Sequence, residues 1–192
     1  MIYELVQKNR SYRGYDASYR FTRQQLEAYV ECARLCPSSV NLQPLKYYIA
    51  WEEDAVAGIQ KLTHWARALP QLELPHPGKC PTAFIVICQD EKISPNLDRF
   101  QKDVGIVAQT MLLAATEEGL GGIMIGNFSP DEMQAQLGLS QDIHPLLVVA
   151  FGKPAEDIRI VDVPESGSIN YYRDENDVHY VPKRALASEL LN

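Results

Sequence analysis

Three polar clusters in the sequence have residue types that could bind a ligand, and the first lies near the amino terminus. Arg10 and Arg13 are three residues apart and flank Ser11, whose hydroxyl group can donate a hydrogen bond. A guanidinium group binds phosphate through paired, charge-assisted hydrogen bonds, so this cluster is a candidate anion site. The alternative is two surface arginines paired with Asp or Glu. The spacing alone favours that alternative, because surface ion pairs are common.

The second cluster is a loop of hydroxyl and amide side chains bounded by two prolines. Its members are Pro37, Ser38, Ser39, Asn41, Gln43 and Pro44. Side chains of Ser, Asn and Gln both donate and accept hydrogen bonds, which suits the edges of a flat heterocycle. The same groups could instead cap the backbone of a turn. The sequence favours neither interpretation, because loops carry both tasks.

The third cluster is a run of glycines around a short apolar strand, at residues 119–128. Glycine lets the backbone approach a ligand closely. A helix end followed by a tight strand entry would explain Gly119 and Gly121 without any ligand. That alternative explains Gly126 and Asn127 less well.

Other catalytic signatures are missing from the sequence. It contains no Gly-x-Gly-x-x-Gly after a strand, no Walker-type phosphate loop and no Gly-x-Ser-x-Gly elbow. His76 and Cys80 lie in a proline-rich loop without a second pair of ligands, so we expect solvent-facing loop residues rather than a zinc site. Cys32 and Cys36 are one helical turn apart and lack the Cys-x-x-Cys spacing, which favours helix packing over redox chemistry.

Hydrophobic periodicity predicts the elements that position these clusters. Helices are expected over residues 1–9, from a capping box at Thr22 and Gln25 as far as Pro37, over 98–118, and from Ser129 to Leu137. Strands are expected over residues 44–51, 83–88, 122–125 and 146–151. The helix over 98–118 has a broad apolar surface, so it should lie centrally or at an interface.

The composition changes after Pro154, where residues 155–182 are polar and contain few aliphatic side chains. Residues 169–173 and 178–181 could pair as a hairpin across 174–177. Such a segment cannot form a core of its own. We therefore expect an extended arm that lies against the rest of this chain or against a partner subunit.

Length and composition fit one ordinary globular domain spanning residues 1–192. Of 192 residues, 46% are hydrophobic and 22% are charged, and 18 Lys and Arg against 25 Asp and Glu give a net charge of −7. This acidic balance argues against a general nucleic-acid binder. The longest near-apolar stretch, 104–115, is too short to span a bilayer. The first residues lack the features of a signal peptide and the four cysteines form no disulfide pattern, so we expect a cytoplasmic protein.

Taken together and in this order, the clusters resemble the FMN-dependent nitroreductase family. Arg10-Ser11-x-Arg13 is similar to the family's phosphate motif, and residues 37–44 are similar to its flavin-ring loop. Residues 119–130 resemble a later segment close to the flavin, and the matches at 137–139 and 151–154 agree with this order. The resemblance covers about residues 2–160.

The resemblance implies an α+β fold in which helices flank a mixed, mostly antiparallel sheet. It also implies a homodimer with FMN at the subunit interface and a C-terminal arm, residues 155–182, that reaches the partner. Arg10, Ser11 and Arg13 would hold the FMN phosphate, joined by Lys183 and Arg184. The ring loop would come from the other subunit, with Asn41 and Gln43 touching the ring or ribityl chain, and Ile125, Gly126 and Asn127 would lie near flavin N5. The implied cofactor-binding residues are Arg10, Ser11, Arg13, Pro37, Ser38, Ser39, Asn41, Gln43, Ile125, Gly126, Asn127, Lys183 and Arg184.

The implied reaction is hydride transfer from NAD(P)H to flavin N5 and then to a nitroaromatic, a quinone or a similar small acceptor, with ping-pong kinetics. The cofactor carries this chemistry, so the resemblance assigns no proton donor. Dehalogenation, enone reduction, flavin fragmentation and a non-catalytic redox sensor remain as alternatives. Longer family members have a helical insertion where residues 65–98 of this chain are short and proline-rich. The sequence therefore leaves the acceptor and the choice between NADH and NADPH open.

Overall fold

The computed structural model describes residues 1–191, which form helices around two β-sheets. The helices are α1 (Ile2–Lys8), α2 (Arg23–Arg34), α3 (Glu53–Leu62), α4 (Gln101–Glu117), α5 (Pro130–Gln136) and α6 (Leu186–Glu189), with a 3-10 turn at Ser39–Asn41. The strands are β1 (Leu45–Ala50), β2 (Ala83–Asp90), β3 (Gly121–Ile125), β4 (Ile143–Gly152), β5 (Ile158–Asp162), β6 (Tyr172–Arg173) and β7 (His179–Lys183).

The larger sheet has the strand order β1-β2-β4-β3, and all its pairs are antiparallel. Strand β2 is buried along nearly its whole length, as its continuous apolar run predicts for a central strand. Its Ile85 lies opposite Ile49 of β1 and Val149 of β4. Strand β4 begins three residues before the predicted 146–151 segment, at Ile143, because the ladder with β2 continues to Asp90.

Helices cover both faces of this sheet. On one face α2 and α4 pack against the sheet through Tyr29, Met111 and Phe151. On the other face Ile59 of α3 and Met133 of α5 belong to a second apolar cluster. Helix α4 is central, with Val104, Val107, Met111, Leu112 and other residues buried, which confirms one of the two placements expected for it. The predicted capping box also forms, because Thr22 Oγ1 accepts from the Gln25 N–H and Gln25 Oε1 accepts from the Thr22 N–H.

The smaller sheet, with the order β5-β7-β6, is built from the polar C-terminal segment. The predicted hairpin is present, with Tyr172 opposite Tyr180 and Arg173 opposite His179. Strand β5 was not predicted, and it pairs with β7 in parallel. The segment packs on the N-terminal part of its own chain, where the Ala155 N–H donates to the Gly14 carbonyl over 3.0 Å. Contact with a partner subunit stays a prediction.

Within residues 1–191, no helix combines the length and apolar character that crossing a bilayer would require.

Candidate functional site

The N-terminal arginine cluster lines a cavity of about 400 Å³ between helix α4, strand β3 and the smaller sheet. Arg10, Ser11 and Arg13 lie on its wall, and Lys183 at the end of β7 joins them. No Asp or Glu lines this cavity among the described residues. A protein with a net charge of −7 thus concentrates three cationic side chains around one space.

Neither arginine of this cluster is paired with a carboxylate. No ion pair in residues 1–191 includes the side chain of Arg10 or Arg13, so the surface ion-pair alternative is wrong. Arg13 is buried, and its Nη1 donates to the Ser11 carbonyl over 3.0 Å. Burial lowers the pKa of both guanidinium groups, as expected for cations held away from water without a counter-charge.

Unsatisfied polar atoms indicate that these arginines lack a partner. The Nε atoms of Arg10 and Arg13 are buried and have no hydrogen-bond partner within residues 1–191. Buried polar atoms in proteins are nearly always hydrogen-bonded, so an unpartnered one needs an explanation. Two incompletely satisfied guanidinium groups on one cavity wall suit an anionic ligand, which would neutralise both charges and accept from their remaining N–H groups.

A second cavity, of about 380 Å³, adjoins the first and shares Arg13, Met124 and Tyr171 with it. Ile125, Gly126 and Asn127 line it after the end of β3. The structure therefore brings the first and third sequence clusters together around two adjoining cavities.

Loop residues His64, Trp65, Ala66 and Arg67 also line the second cavity. The His64 N–H donates to the Asn127 carbonyl over 2.9 Å, which ties this loop to the end of β3.

The glycines of the third cluster differ in what requires them. A Cβ at Gly121 would lie 2.6 Å from the Tyr12 ring, and one at Gly122 would lie 2.1 Å from the Ala150 carbonyl oxygen. Close packing therefore explains these two glycines. A Cβ at Gly126 would meet no atom within 4 Å, so packing does not explain that glycine, and the space beside it belongs to the second cavity.

The second sequence cluster lies elsewhere on the chain. Pro37, Ser38 and Gln43 line a separate cavity of about 160 Å³, which has no lining residue in common with the two above. Ser38 Oγ donates to Asp103 of α4 over 2.7 Å and accepts from the Gln43 N–H over 3.1 Å. Ser38 therefore caps the backbone of the turn, as one of the two interpretations predicts. Ser39 and Asn41 are exposed.

The backbone of this loop is strained. Val40, Asn41 and Gln43 have φ values of 50°, 54° and 53°, in the left-handed region that favours glycine. A β-branched residue such as Val40 rarely occupies this region, and such strain persists only where the surroundings impose it. Asp103 is buried and also accepts from the Ser39 N–H over 2.9 Å, so α4 fixes the loop at its base.

The C-terminal sheet contributes residues that the sequence analysis did not single out. Tyr171 and His179 line the first cavity, and their rings meet edge to face with centroids 5.3 Å apart. His179 is 1% exposed, and neither ring nitrogen has a partner within residues 1–191. Burial, with the charges of Arg13 and Arg173, lowers the pKa of His179 to about 4, so the ring is neutral at pH 7. Arg184, by contrast, is exposed and lines neither cavity.

A buried ion pair joins the C-terminal sheet to the arginine cluster. One oxygen of Glu156 accepts from the backbone N–H of Arg13, and the other pairs with Arg173. The side chains of Glu156 and Arg173 are each 4% exposed. Arg173 Nη1 also contacts Asp177 over 2.8 Å. Arg173 and Asp177 are four residues apart, but Arg13, Glu156 and Arg173 are distant in sequence, so sequence spacing did not indicate that they meet.

His76, one of the two candidate zinc residues, contacts a carboxylate instead. His76 Nε2 lies 3.2 Å from Asp177 Oδ2, so His76 is half-buried against the C-terminal sheet rather than simply facing solvent. Within residues 1–191, no group of three or more His, Cys, Asp or Glu side chains could hold a metal ion.

Comparison with known proteins places this architecture in a family. The sequence model that describes the Nitroreductase family matches residues 6–153, which is well over half of the chain. The chain belongs to the nitroreductase family. The match includes all three sequence clusters and ends before the C-terminal sheet. The family resemblance and the α+β fold expected from it are therefore confirmed.

The nitroreductase relatives are distant in sequence. A provisionally named NADH dehydrogenase/NAD(P)H nitroreductase of Archaeoglobus fulgidus is 24% identical over 159 residues, which is 80% of this chain and 86% of the relative. The crystal structure of a provisionally named NAD(P)H:FMN oxidoreductase of Staphylococcus epidermidis superposes with a TM-score of 0.70 at 19% identity, covering 86% of this chain and 93% of that one. A provisionally named nitroreductase of Exiguobacterium sibiricum, solved in complex with FMN, superposes with a TM-score of 0.69 at 20% identity. The superposition covers 86% of this chain and 94% of that one. At these identities the structural similarity shows the fold.

Proposed function

We propose that this protein is an FMN-dependent NAD(P)H oxidoreductase of the nitroreductase type. The observation that carries the proposal is the pair of unneutralised arginines, Arg10 and Arg13, on a cavity that adjoins the space beside Gly126. An FMN phosphate carries close to two negative charges, so it matches the cationic cavity. The relatives named for NAD(P)H and the relative solved with FMN support the same conclusion.

Each cavity would hold a different part of the cofactor. Arg10, Arg13 and Lys183 would neutralise the phosphate, and the Ser11 hydroxyl could donate to it. The flavin ring would lie along Ile125, Gly126 and Asn127, where the missing side chain of Gly126 leaves room beside the backbone. When bound, FMN would take a hydride from NAD(P)H and pass two electrons to a nitroaromatic, a quinone or a similar acceptor in a ping-pong cycle. The chain's task is then binding, orientation and the exclusion of water.

The complete site would need a second copy of the chain. The ring loop lies on a cavity separate from the arginine cluster, so Asn41 and Gln43 would reach the flavin from the partner subunit. Large apolar side chains are exposed on α1 and α4, including Ile2 at 65% and Ile106 at 42%, and these suit an interface. Our proposal includes a homodimer with FMN at the interface, an arm at residues 155–182 that touches the partner, and Arg184 as a further cation.

The cellular location is part of the same proposal. All four cysteines are free in the structure, which fits a reducing compartment such as the cytoplasm.

The visible absorption spectrum of the purified protein tests the cofactor assignment. Heat would release the ligand for identification by mass, and the expected result is one FMN per chain. Oxidation of NADH and NADPH with a quinone would then test turnover. A colourless protein that also takes up no added FMN would refute the proposal, and bound FMN without turnover would favour a redox sensor.

Removal of residues 155–192 tests the arm and the dimer together. This segment supplies Ile158, Tyr171, His179, Val181 and Lys183 to the first cavity, so the truncated chain should lose FMN. Sedimentation should also show a weakened dimer. A truncated chain that remains dimeric and yellow would exclude the segment from the site.

A further inference from the structure

The second cavity has a basic lining that the cofactor's phosphate does not explain. Arg13, His64 and Arg67 contribute basic side chains to it, and no Asp or Glu lines it among the described residues. Arg13 also lines the first cavity, where the phosphate is proposed to bind. His64 and Arg67 do not line the first cavity, so their basic groups are left for another molecule.

Arg67 is free to bind such a molecule. Its guanidinium group makes no hydrogen bond and no ion pair with any part of the chain between residues 1 and 191. It is exposed, so its side chain can adjust to a ligand without unfolding the loop. A guanidinium group presents paired N–H donors that match the two oxygens of a carboxylate.

Trp65 supplies an aromatic surface next to Arg67 on the same cavity. Its indole N–H donates to Thr63 Oγ1 over 2.9 Å, which limits rotation of the ring. Thr63 Oγ1 in turn donates to the Gln60 carbonyl over 2.9 Å at the end of α3. The loop is also tied to Asn127 through the His64 N–H. A flat aromatic ligand could therefore stack on a side chain that is already held in place.

We propose that the electron acceptor of this enzyme is a small aromatic molecule carrying a carboxylate, and that Arg67 selects it. This inference rests on the proposed function, because it assigns the acceptor that shares the cavity with the flavin ring. We assign an acceptor of one ring, because the second cavity, of about 380 Å³ in a single chain, would also hold the flavin ring. Arg67 would bind the carboxylate, and His64 could donate a second hydrogen bond.

NAD(P)H is a second source of anionic oxygen for the same residue. Its charges lie on the pyrophosphate and, in NADPH, on the 2′-phosphate, both remote from the reacting nicotinamide ring. A one-ring acceptor carries its carboxylate beside the reacting group, within the cavity that Arg67 lines. The two sources can be separated by changing the charge of the acceptor and the identity of the donor independently.

The kinetic test compares two acceptors of nearly equal shape, 4-nitrobenzoate and 4-nitrobenzamide, with the FMN-loaded enzyme. We expect wild type to have the higher kcat/KM for the benzoate. Arg67→Gln should lower the benzoate-to-benzamide ratio of kcat/KM about two- to fivefold, as expected for a charged pair that is open to water. The ratio for Arg67→Lys should lie between those of wild type and Arg67→Gln, because lysine keeps the charge and loses the paired N–H geometry. Arg20→Gln removes the same charge from a surface pair with Glu53 and should leave the ratio unchanged.

A binding test needs no turnover and no cofactor. The chain has two tryptophans, so Trp51→Phe leaves Trp65 as the single emitter. Titration of this variant with benzoate, and separately with benzamide, should quench Trp65 fluorescence at lower concentration for benzoate. Adding Arg67→Gln should abolish that difference. The titration is done with and without added FMN.

Three results would overturn the inference. One is equal kcat/KM for the two acceptors in wild type together with equal quenching by benzoate and benzamide. Another is an equal loss of kcat/KM for both acceptors in Arg67→Gln. The third is a change in the NADPH-to-NADH preference of Arg67→Gln while the acceptor ratio stays constant, which would assign Arg67 to the donor. A protein that takes up no FMN but still prefers benzoate in the fluorescence titration would instead remove the proposed function and leave an aromatic-carboxylate site.

Discussion

The guanidinium of Arg13 lies over the ring of Tyr171, with Cζ 4.9 Å from the ring centroid. This contact joins a residue near the start of the chain to one in the C-terminal sheet. A cation over an aromatic face is favoured, most of all where water is excluded. Because Glu156 also accepts from the Arg13 backbone N–H, residues 155–182 contact both the main chain and the side chain of this arginine.

Arg13→Ala should weaken FMN binding while the protein stays folded. Loss of a charge-assisted hydrogen bond costs about 1.5–3 kcal/mol, which corresponds to roughly a tenfold to hundredfold increase in Kd. Affinity for riboflavin, which lacks the phosphate, should change little. Fluorescence titration with both ligands measures the difference, and Arg20→Gln serves as a control. An unchanged FMN affinity would contradict the assignment of Arg13 to the FMN phosphate.

Two glycine substitutions should separate packing from ligand space. Gly122→Ala places a Cβ 2.1 Å from a backbone oxygen, so the sheet must shift and the free energy of unfolding should fall by about 1–3 kcal/mol. Gly126→Ala meets no atom within 4 Å and should leave stability within about 0.5 kcal/mol of wild type.

For FMN affinity, the variant at residue 126 should show the larger effect, although it has the smaller effect on stability. Gly126→Ala should reduce FMN affinity, because its methyl group would occupy space in the second cavity. Urea unfolding and FMN titration of the two variants provide the comparison. If Gly126→Ala bound FMN as tightly as wild type, the flavin ring would not lie beside residue 126.

Removing one partner of the ion pair between Glu156 and Arg173 should destabilise the fold strongly, because the other charge stays buried without its partner. Glu156→Ala leaves Arg173 buried with only Asp177 beside it, and we expect a loss of about 3 kcal/mol in the free energy of unfolding. The double variant Glu156→Ala with Arg173→Met should lose less than the sum of the single losses, as a double-mutant cycle in urea would show. Additive losses would mean that the two side chains do not stabilise each other.

His179 should make stability fall in mild acid. The pKa in the folded protein is about 4, below the ordinary value of 6.5, so the unfolded chain takes up a proton first as the pH falls. The neutral His179 ring therefore makes its full contribution to the free energy of unfolding above pH 6.5, and this contribution is lost progressively towards pH 4. Between pH 7 and pH 4.5 the loss should be about 2–3 kcal/mol, at 1.4 kcal/mol per pH unit.

The matching variants isolate this effect from the titration of carboxylates. His179→Gln should lose about 2–3 kcal/mol less than wild type between pH 7 and pH 4.5. His144→Gln changes a half-buried histidine that pairs with Glu91, and it should follow the wild-type curve more closely. Parallel curves for His179→Gln and wild type would contradict a buried neutral imidazole.

Local patterns determined much of the fold in advance. The continuous apolar run from Ala83 to Cys88 predicts a strand buried on both faces, and the structure confirms it. The capping box at Thr22 and the apolar periodicity of α4 likewise depend on residues within one or two helical turns. The order of the three polar clusters was specific enough to indicate the family, because each cluster follows a predicted element at a fixed place in the chain.

Only the tertiary structure showed that Arg10 and Arg13 lack a carboxylate partner. The spacing of the two residues favoured surface ion pairs and the family resemblance favoured phosphate binding, because neither shows which carboxylates are near. Folding places Glu156 against the backbone of Arg13 and commits that carboxylate to Arg173, so the guanidinium of Arg13 has no counter-ion. An arginine is predictable as an anion ligand only when its competing partners are known.

The contribution of the C-terminal sheet was also set by tertiary contacts. The hairpin at β6 and β7 was visible as two short runs around a turn, but the parallel pairing of β5 with β7 was not, because it joins segments far apart in sequence. His179 and Lys183 of β7, together with Tyr171 just before β6, lie on the wall of the first cavity. Sequence patterns determine elements through near neighbours, whereas a binding site depends on distances between elements, which only the folded chain fixes.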